Sequence, residues 1–210
     1  CGIQSMILSL CREGDKIIVS RDCHKSVVDA MMLGGITPVY IKPEYNSRFG
    51  IPGVINPDEL ETATRKNPDA KAVIMPRPSF YGVCSDIERI AQIVHSHGMV
   101  LAVDEAHGAH LVFNEKLPAS AMKAGADICV QSAHKTLPAL TQGSYLHVKS
   151  SNVDIERLEF YLSMLQTSSP SYVIMAFLDI ARGLMQESGQ RYLDELLNNI
   201  QWFKDGLKEL

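Results

Sequence analysis

Short apolar runs rich in β-branched residues alternate with amphipathic segments along the first 150 residues. Six runs have the length and continuous apolar character of strands buried in a sheet: residues 17–20, 37–41, 72–75, 100–104, 128–131 and 144–148. Between them, apolar residues recur at helical spacing in four segments: residues 3–12, 25–33, 58–66 and 86–97. This order predicts an α/β fold with a mainly parallel sheet flanked by helices.

Two local features refine this prediction. The run at 144–148 follows the preceding strand too closely for a crossover helix, so we expect it to pair antiparallel. Gly14 and Gly98 follow the first and fourth predicted helices, where a glycine commonly caps the carboxyl end of a helix.

Beyond residue 151 the pattern is entirely helical. A stripe of apolar residues covers one helix, the sequence Ser168-Ser169-Pro170 ends it, and two further helical stretches run to residue 210. We therefore expect an α/β domain at residues 1–150 and a helical continuation at residues 151–210. The chain starts on Cys1 and stops inside a helical pattern, so we expect it to be a piece of a longer protein.

Composition narrows the class of protein. The 210 residues are 46% hydrophobic and 21% charged, which excludes a collagenous, low-complexity or wholly disordered chain. A net charge of -4 gives no basic surface for nucleic acid or anionic lipid, and the apolar stretch near the start is too interrupted to span a membrane. The 5 cysteines lack paired spacing, which favours reduced thiols in a cytoplasmic protein.

Polar side chains follow three of the predicted strands. RDCH follows the strand at 17–20, DEAHGAH begins at the last residue of the strand at 100–104, and SAHKT follows the strand at 128–131. Parallel strands present their carboxyl ends at one edge of the sheet, where ligands bind in open α/β folds. We expect a site where these segments meet.

Lys135 and Asp104 are the strongest chemical candidates at this edge. Lys135 follows a buried strand rather than lying on a surface helix, which predicts a desolvated amine suited to Schiff-base chemistry. An ordinary surface lysine is the alternative. Asp104 ends an apolar run, and such a carboxylate can keep a pyridine nitrogen protonated. The alternative for Asp104 is a helix N-cap.

A metal site is a second interpretation of the DEAHGAH segment, with Asp104, His107 and His110 as ligands. The order of residues is not HExxH, no base lies between the two histidines, and no cysteine joins them. We therefore expect no metal.

Together, VDEAHGAH and SAHKTLPALTQ resemble the major domain of the Orn/Lys/Arg decarboxylases, which are pyridoxal-phosphate enzymes of the aspartate-aminotransferase fold. CGIQSMI with GDKIIVSRDCHKS resembles the phosphate-loop helix and next strand of that family, and FYGVCSDIERIA resembles the strand-loop-helix that follows. The resemblance runs from residue 1 to about residue 190 and keeps the family's order. It implies a fold type I large domain at residues 1–150, pyridoxal 5'-phosphate as cofactor, and decarboxylation of arginine, lysine or ornithine to the corresponding amine.

The resemblance also implies which residues hold the cofactor. Lys135 would bond to the cofactor aldehyde and Asp104 would hold the pyridine nitrogen. His24 and Ala106 would pack against the two faces of the ring. A surface N-cap is the alternative role for His24.

Three further positions match the family around the lysine. His107 would lie beside the phenolic oxygen of the cofactor, and Ser132 and His134 would reach the phosphate or steady Lys135. A plain turn residue is the alternative for Ser132. Lys135 or a histidine, His107 or His134, would return a proton to the α-carbon and so take part in catalysis.

The sequence also departs from the family pattern. The Gly/Ser/Thr turn of the phosphate cup and the carboxyl-terminal small domain are not in the sequence, and MPRPSFY differs from the usual loop. Another fold type I enzyme, such as an aminotransferase or aldolase, and a catalytically silent, assembly-forming homologue are the alternative functions. The partners that we expect are an amino-acid substrate and further copies of the chain in a homodimer or larger homo-oligomer.

Overall fold

Strands and helices alternate along the chain in the computed structural model, which describes residues 1–208. The elements of the α/β part are α1 (Gly2–Leu10), β1 (Lys16–Ser20), α2 (Lys25–Gly34), β2 (Thr37–Ile41), β3 (Tyr45–Asn46), β4 (Ile51–Pro52), α3 (Pro57–Lys66), β5 (Ala72–Pro76), α4 (Ile87–Ser96), β6 (Val100–Asp104), β7 (Ile128–Ser132), α5 (Ala133–Thr136) and β8 (Ser144–Val148). Two longer helices follow: α6 (Ile155–Leu165) and α7 (Tyr172–Lys208).

Six of the strands form one sheet in the order β2-β1-β5-β6-β7-β8. All neighbours pair in parallel except β7 and β8, which pair antiparallel from Ile128↔Val148 to Ser132↔Ser144. The predicted α/β class, the six predicted strands and the antiparallel direction of the last one are therefore confirmed. Strands β3 and β4 form a separate antiparallel pair that the sequence pattern did not predict.

Helices cover both faces of the sheet because successive strand residues point to opposite sides. Ile17 and Val19 of β1 pack in one buried cluster with α1, α2 and α6. Ile18, between them, packs in a second buried cluster with α3 and α4. Because both faces of these strands are buried, their residues are apolar without alternating polar positions. This is why unbroken apolar runs predicted the strands.

Glycine caps one of the two predicted helix ends. Gly98 directly follows the C-cap of α4 in the left-handed region, with φ 69°, and its N–H donates to His95. Gly14 does not cap α1, which ends at Leu10 with Cys11 as its extended C-cap residue. Gly14, with φ 83°, lies in the turn that leads into β1, and its N–H donates to Gly35.

The helical part differs from the prediction in one respect. The sequence predicts two helical stretches after residue 170, whereas α7 is a single helix of 37 residues that continues through Gly183 and Gly189. Isolated glycines lower helix stability without ending a helix. The predicted domain boundary near Ser150 stays a prediction, and the last two residues of the predicted helical continuation, 209 and 210, lie outside the described residues. Among residues 1–208, no helix is long and apolar enough to cross a membrane.

Candidate active site

An open cavity of about 390 Å³ lies at the carboxyl ends of the parallel strands. It is walled by the start of α1, by the segments that follow β1 and β5, and by the ends of β6 and β7 with α5. All the predicted site residues except one line it: His24, Asp104, Ala106, His107, Ser132 and Lys135. The sheet topology thus brings together three segments that are far apart in the sequence, at the edge expected for an open α/β fold.

Asp104, the last residue of β6, is 6% exposed. Its Oδ1 accepts a hydrogen bond of 3.1 Å from the N–H of Ala106. Burial raises the pKa of the Asp104 carboxyl, and the Ala106 N–H and the positive charge of Lys135 oppose that rise. A cation placed against this carboxylate would lower its pKa and be held there, because burial makes the uncompensated charge costly.

Lys135 lies on the short helix α5 directly after β7. Its Nζ is 3.2 Å from Nε2 of His107. Burial, followed by the positive charge of Lys135, lowers the pKa of His107. The neutral imidazole accepts the hydrogen bond from the lysine ammonium. The sequence predicted a desolvated amine, and this expectation is wrong for the chain as described, because Lys135 is exposed in an open cavity.

His24 has the N-cap role that the sequence left open, and its packing against a cofactor ring stays a prediction. It is the N-cap residue of α2, where its Nδ1 accepts a hydrogen bond of 3.2 Å from the N–H of Ser26. The same residue lines the cavity. Capping therefore fixes one edge of the imidazole and leaves the ring available to a ligand in the cavity.

His134 is the predicted site residue that does not line the cavity. Its Nδ1 lies 3.1 Å from the carbonyl oxygen of Gly143, so this nitrogen donates a hydrogen bond to the residue that precedes β8. The contact ties α5 to the loop before β8. The predicted part of His134 in catalysis or phosphate binding stays a prediction.

The start of α1 completes the cavity. Cys1, Gly2 and Ile3 line it, and the first N–H groups of a helix have no acceptor within the helix. A Cβ atom at Gly2 would lie 3.0 Å from Cγ1 of Val130, so the small residue lets α1 approach the end of β7. This arrangement presents free N–H groups to an anion in the cavity.

Several lining residues were not predicted. Pro78 and Phe80 come from the segment that departs from the family pattern, and the Phe80 ring packs edge-to-face on His107 with 5.9 Å between ring centroids. Asp22 and Ser144 also line the cavity. Asp22 stands in the RDCH motif itself and accepts a hydrogen bond from Ser20. Its place directly after β1 was the available signal.

The metal interpretation has no support in the described part of the chain. Within residues 1–208, no group of three or more histidine, cysteine, aspartate or glutamate side chains is arranged to hold a metal ion. His107 contacts Lys135, whereas Nδ1 of His110 is buried without a hydrogen-bond partner.

The sheet, its helices and the placement of Asp104 and Lys135 in one cavity at its edge are those of a class, the large domain of fold type I pyridoxal-phosphate enzymes. The lysine decarboxylase A of Pseudomonas aeruginosa has this fold, with a TM-score of 0.82 and 27% identity over 94% of the chain described here and 29% of its own length. The sequence matches the family described as Orn/Lys/Arg decarboxylase, major domain, over residues 1–210, and the chain belongs to that family.

Two relatives from Bacillus subtilis are similar along the whole sequence. The uncharacterized protein YaaO is 46% identical over 100% of the chain, and an arginine decarboxylase is 38% identical over 99% of it. The chain spans less than half of either relative, 44% of YaaO and 42% of the arginine decarboxylase.

The residues of the cavity fit pyridoxal 5'-phosphate, the cofactor of this class. A buried carboxylate suits a protonated ring nitrogen, an amine suits an aldehyde, and a helix start suits a phosphate. The cavity supplies all three, in Asp104, Lys135 and the start of α1. Its volume of about 390 Å³ falls in the usual range for small-molecule sites.

Proposed function

We propose that the protein containing this chain decarboxylates a basic amino acid, arginine, lysine or ornithine, with pyridoxal 5'-phosphate as cofactor. One observation carries the proposal: in a chain of the Orn/Lys/Arg decarboxylase family, Asp104, Lys135 and His24 line the same cavity. The similarity to an arginine decarboxylase at 38% identity supports this choice over an aminotransferase or an aldolase.

Each residue around the cavity has a defined task in this proposal. When bound, pyridoxal 5'-phosphate supplies an electron-accepting ring that stabilises the negative charge left as carbon dioxide departs. Asp104 holds the ring nitrogen in its protonated form. Lys135 holds the cofactor aldehyde. His24 and Ala106 bracket the ring, and Ser132 with the N–H groups at the start of α1 holds the phosphate.

His107 and Lys135 act as a pair. Neutral His107 accepts a hydrogen bond from the Lys135 amine across 3.2 Å, and so it orients Nζ toward the cavity. The Nζ of Lys135 can then hold the proton that the α-carbon needs once carbon dioxide has left. His134 keeps α5, and therefore Lys135, at a fixed distance from β8.

A product assay on the full-length protein tests this function. The protein is given pyridoxal phosphate and arginine, lysine or ornithine in separate reactions, and carbon dioxide and the amine are quantified. We expect equal amounts of carbon dioxide and amine from one of the three substrates. Formation of a keto acid without carbon dioxide would contradict the proposal.

The variant Lys135→Ala tests the central residue. We expect it to lose decarboxylation by at least about a thousandfold, because it removes the group that holds the cofactor aldehyde and returns the proton. Lys123→Ala removes an exposed lysine outside the cavity and is the matched control, with activity close to wild type. If Lys135→Ala retains the activity of the control, the assignment of Lys135 is wrong.

A further inference from the structure

Behind the cavity, on the opposite face of the sheet, lies a set of polar side chains that the proposed chemistry does not use. Asp104 and Val130 are paired in β6 and β7 and line the cavity. Glu105 and Gln131 are the next residues after this pair. Their side chains point to the other face of the sheet, because successive side chains along a strand point to opposite faces. Glu105 is 0% exposed and Gln131 is 7% exposed.

These two residues and His147 of β8 form a chain of hydrogen bonds that we call the Glu105 network. The Oε2 of Glu105 accepts from Nε2 of Gln131 at 2.6 Å. The Oε1 of Gln131 accepts from Nε2 of His147 at 3.0 Å. The remaining oxygen of Glu105, Oε1, accepts from the N–H of Ala121 at 2.6 Å. His147 is the solvent-exposed end of this chain.

The donors and acceptors of the network have a fixed direction. Both oxygens of Glu105 accept hydrogen bonds, which favours the charged form of the carboxyl group. Burial raises the pKa of Glu105, and the hydrogen bonds from Gln131 and Ala121 oppose that rise. A buried carboxylate is retained only where such donors compensate for lost hydration, and removing one of them leaves the charge uncompensated.

The network lies where the two strands that carry the site separate. The pairing of β6 with β7 ends at Asp104↔Val130, and the N–H of Glu105 makes the last backbone bond, to the oxygen of Val130 at 2.9 Å. Beyond this point, the segment after β6 turns toward His107, and the segment after β7 enters α5 with Lys135. The hydrogen bond from Gln131 to Glu105 links these two segments where they separate.

We propose that the Glu105 network is a positioning device that fixes the separation of Asp104 and Lys135 and thereby sets the affinity for pyridoxal phosphate. This proposal rests on the proposed function, since it assumes that these two residues hold that cofactor. None of the three side chains of the network has a polar contact with Asp104 or Lys135; Gln131 and His147 act through β7 and β8, and Glu105 acts through the backbone of β6. They are therefore positioning residues.

An exchange of the two central residues gives a sharp test. Gln131→Glu places two buried carboxylates against each other and should weaken binding of pyridoxal phosphate about tenfold or more. Adding Glu105→Gln to this variant again places a donor opposite an acceptor. The amide at position 105 donates to the carboxylate at position 131 and still accepts from the N–H of Ala121. The double variant should recover to within about threefold of wild type. Gln92→Glu makes the same change at an exposed position of α4 and should bind like wild type.

The measurement is the dissociation constant of pyridoxal phosphate for the full-length apoprotein, by absorbance titration at a temperature where circular dichroism shows each variant folded. The melting temperature of each apoprotein is recorded in parallel. Weaker binding by Gln131→Glu, with recovery in the double variant, supports the positioning role. Lower melting temperatures with dissociation constants within twofold of wild type would mean that the network serves stability alone, and this overturns the proposal.

Two further outcomes are informative. If Gln131→Glu does not fold, Gln131→Met, which removes the tie without adding charge, decides in the same way: about tenfold weaker binding supports the proposal and unchanged binding overturns it. If wild-type apoprotein itself does not bind pyridoxal phosphate, the proposed function fails and the positioning role falls with it. Binding by wild type with no effect of any variant overturns only the positioning role.

Discussion

Two histidines near the cavity, His107 and His110, lie in surroundings that disfavour the protonated imidazole. Burial lowers the pKa of His107, aided by the charge of Lys135, and burial alone lowers the pKa of His110. The Nδ1 atom of His110 is buried with no hydrogen-bond partner. Histidines that stay neutral can accept a proton or a hydrogen bond during catalysis, but their folded environment resists their protonation.

This resistance predicts how stability depends on pH. As pH falls below the ordinary histidine value of 6.5, the unfolded chain binds protons that folded His110 does not, so the free energy of unfolding decreases toward the lower pKa of the folded state. Above that value both states are neutral and this loss is absent. We expect His110→Gln to reduce the decrease between pH 7.5 and 5.5, measured by urea unfolding of the full-length protein. An equally steep decrease in the variant, at an unchanged urea dependence, would contradict this.

At the scale of elements, α6 holds the carboxyl end of α1 through one side chain. Arg157 donates from Nε to the oxygen of Leu8 at 3.0 Å and from Nη2 to the oxygen of Cys11 at 2.8 Å. The last carbonyl groups of a helix have no N–H donor within the helix. An arginine from a neighbouring helix can supply the missing hydrogen bonds. The opposite end of α1 lines the cavity, which makes this contact part of the support for the site.

Removing this contact should loosen α1. Arg157→Ala is expected to lower the free energy of unfolding by about 1–3 kcal/mol, because two buried carbonyl groups lose a charged donor. Arg182→Ala, which removes an exposed pair with Asp179 in α7, is the control and should cost less than about 0.5 kcal/mol. Urea unfolding measures both, and amide hydrogen exchange in α1 reports the local effect. Equal losses in the two variants would show that Arg157 makes no special contribution.

The elements also show what the amino-acid pattern could predict and what it could not. The sheet was predictable because strands buried on both faces read as unbroken apolar runs. The pair β3 and β4 was not, since each strand has two residues and β3 is exposed, so no apolar run marks them. The gathering of residues from strand ends around one cavity was predictable from topology. The exposure of Lys135 and the Gly143 contact of His134 depend on how α5 packs, which sequence spacing does not specify.

For the whole molecule, the cavity brings together segments that are far apart in the sequence. His24 follows β1, Asp104 ends β6, Lys135 follows β7, and the start of α1 closes one side. A ligand that contacts all of these segments binds the folded state, because the unfolded chain does not hold them together. Binding of pyridoxal phosphate should therefore raise the stability of the entire fold by mass action, by about 2.7 kcal/mol at a concentration of 100 times its dissociation constant.

This linkage separates the covalent from the non-covalent part of binding. Pyridoxamine 5'-phosphate carries the same ring and phosphate but has no aldehyde for Lys135 to hold. In the wild-type full-length protein we expect a larger increase in melting temperature with pyridoxal phosphate than with the amine form at equal concentration. In Lys135→Ala the two increases should become equal and remain above zero, because in the proposed site Asp104, His24 and the start of α1 would still contact the ring and the phosphate. A larger increase with the aldehyde form that persists in Lys135→Ala would place the aldehyde-binding amine elsewhere in the protein.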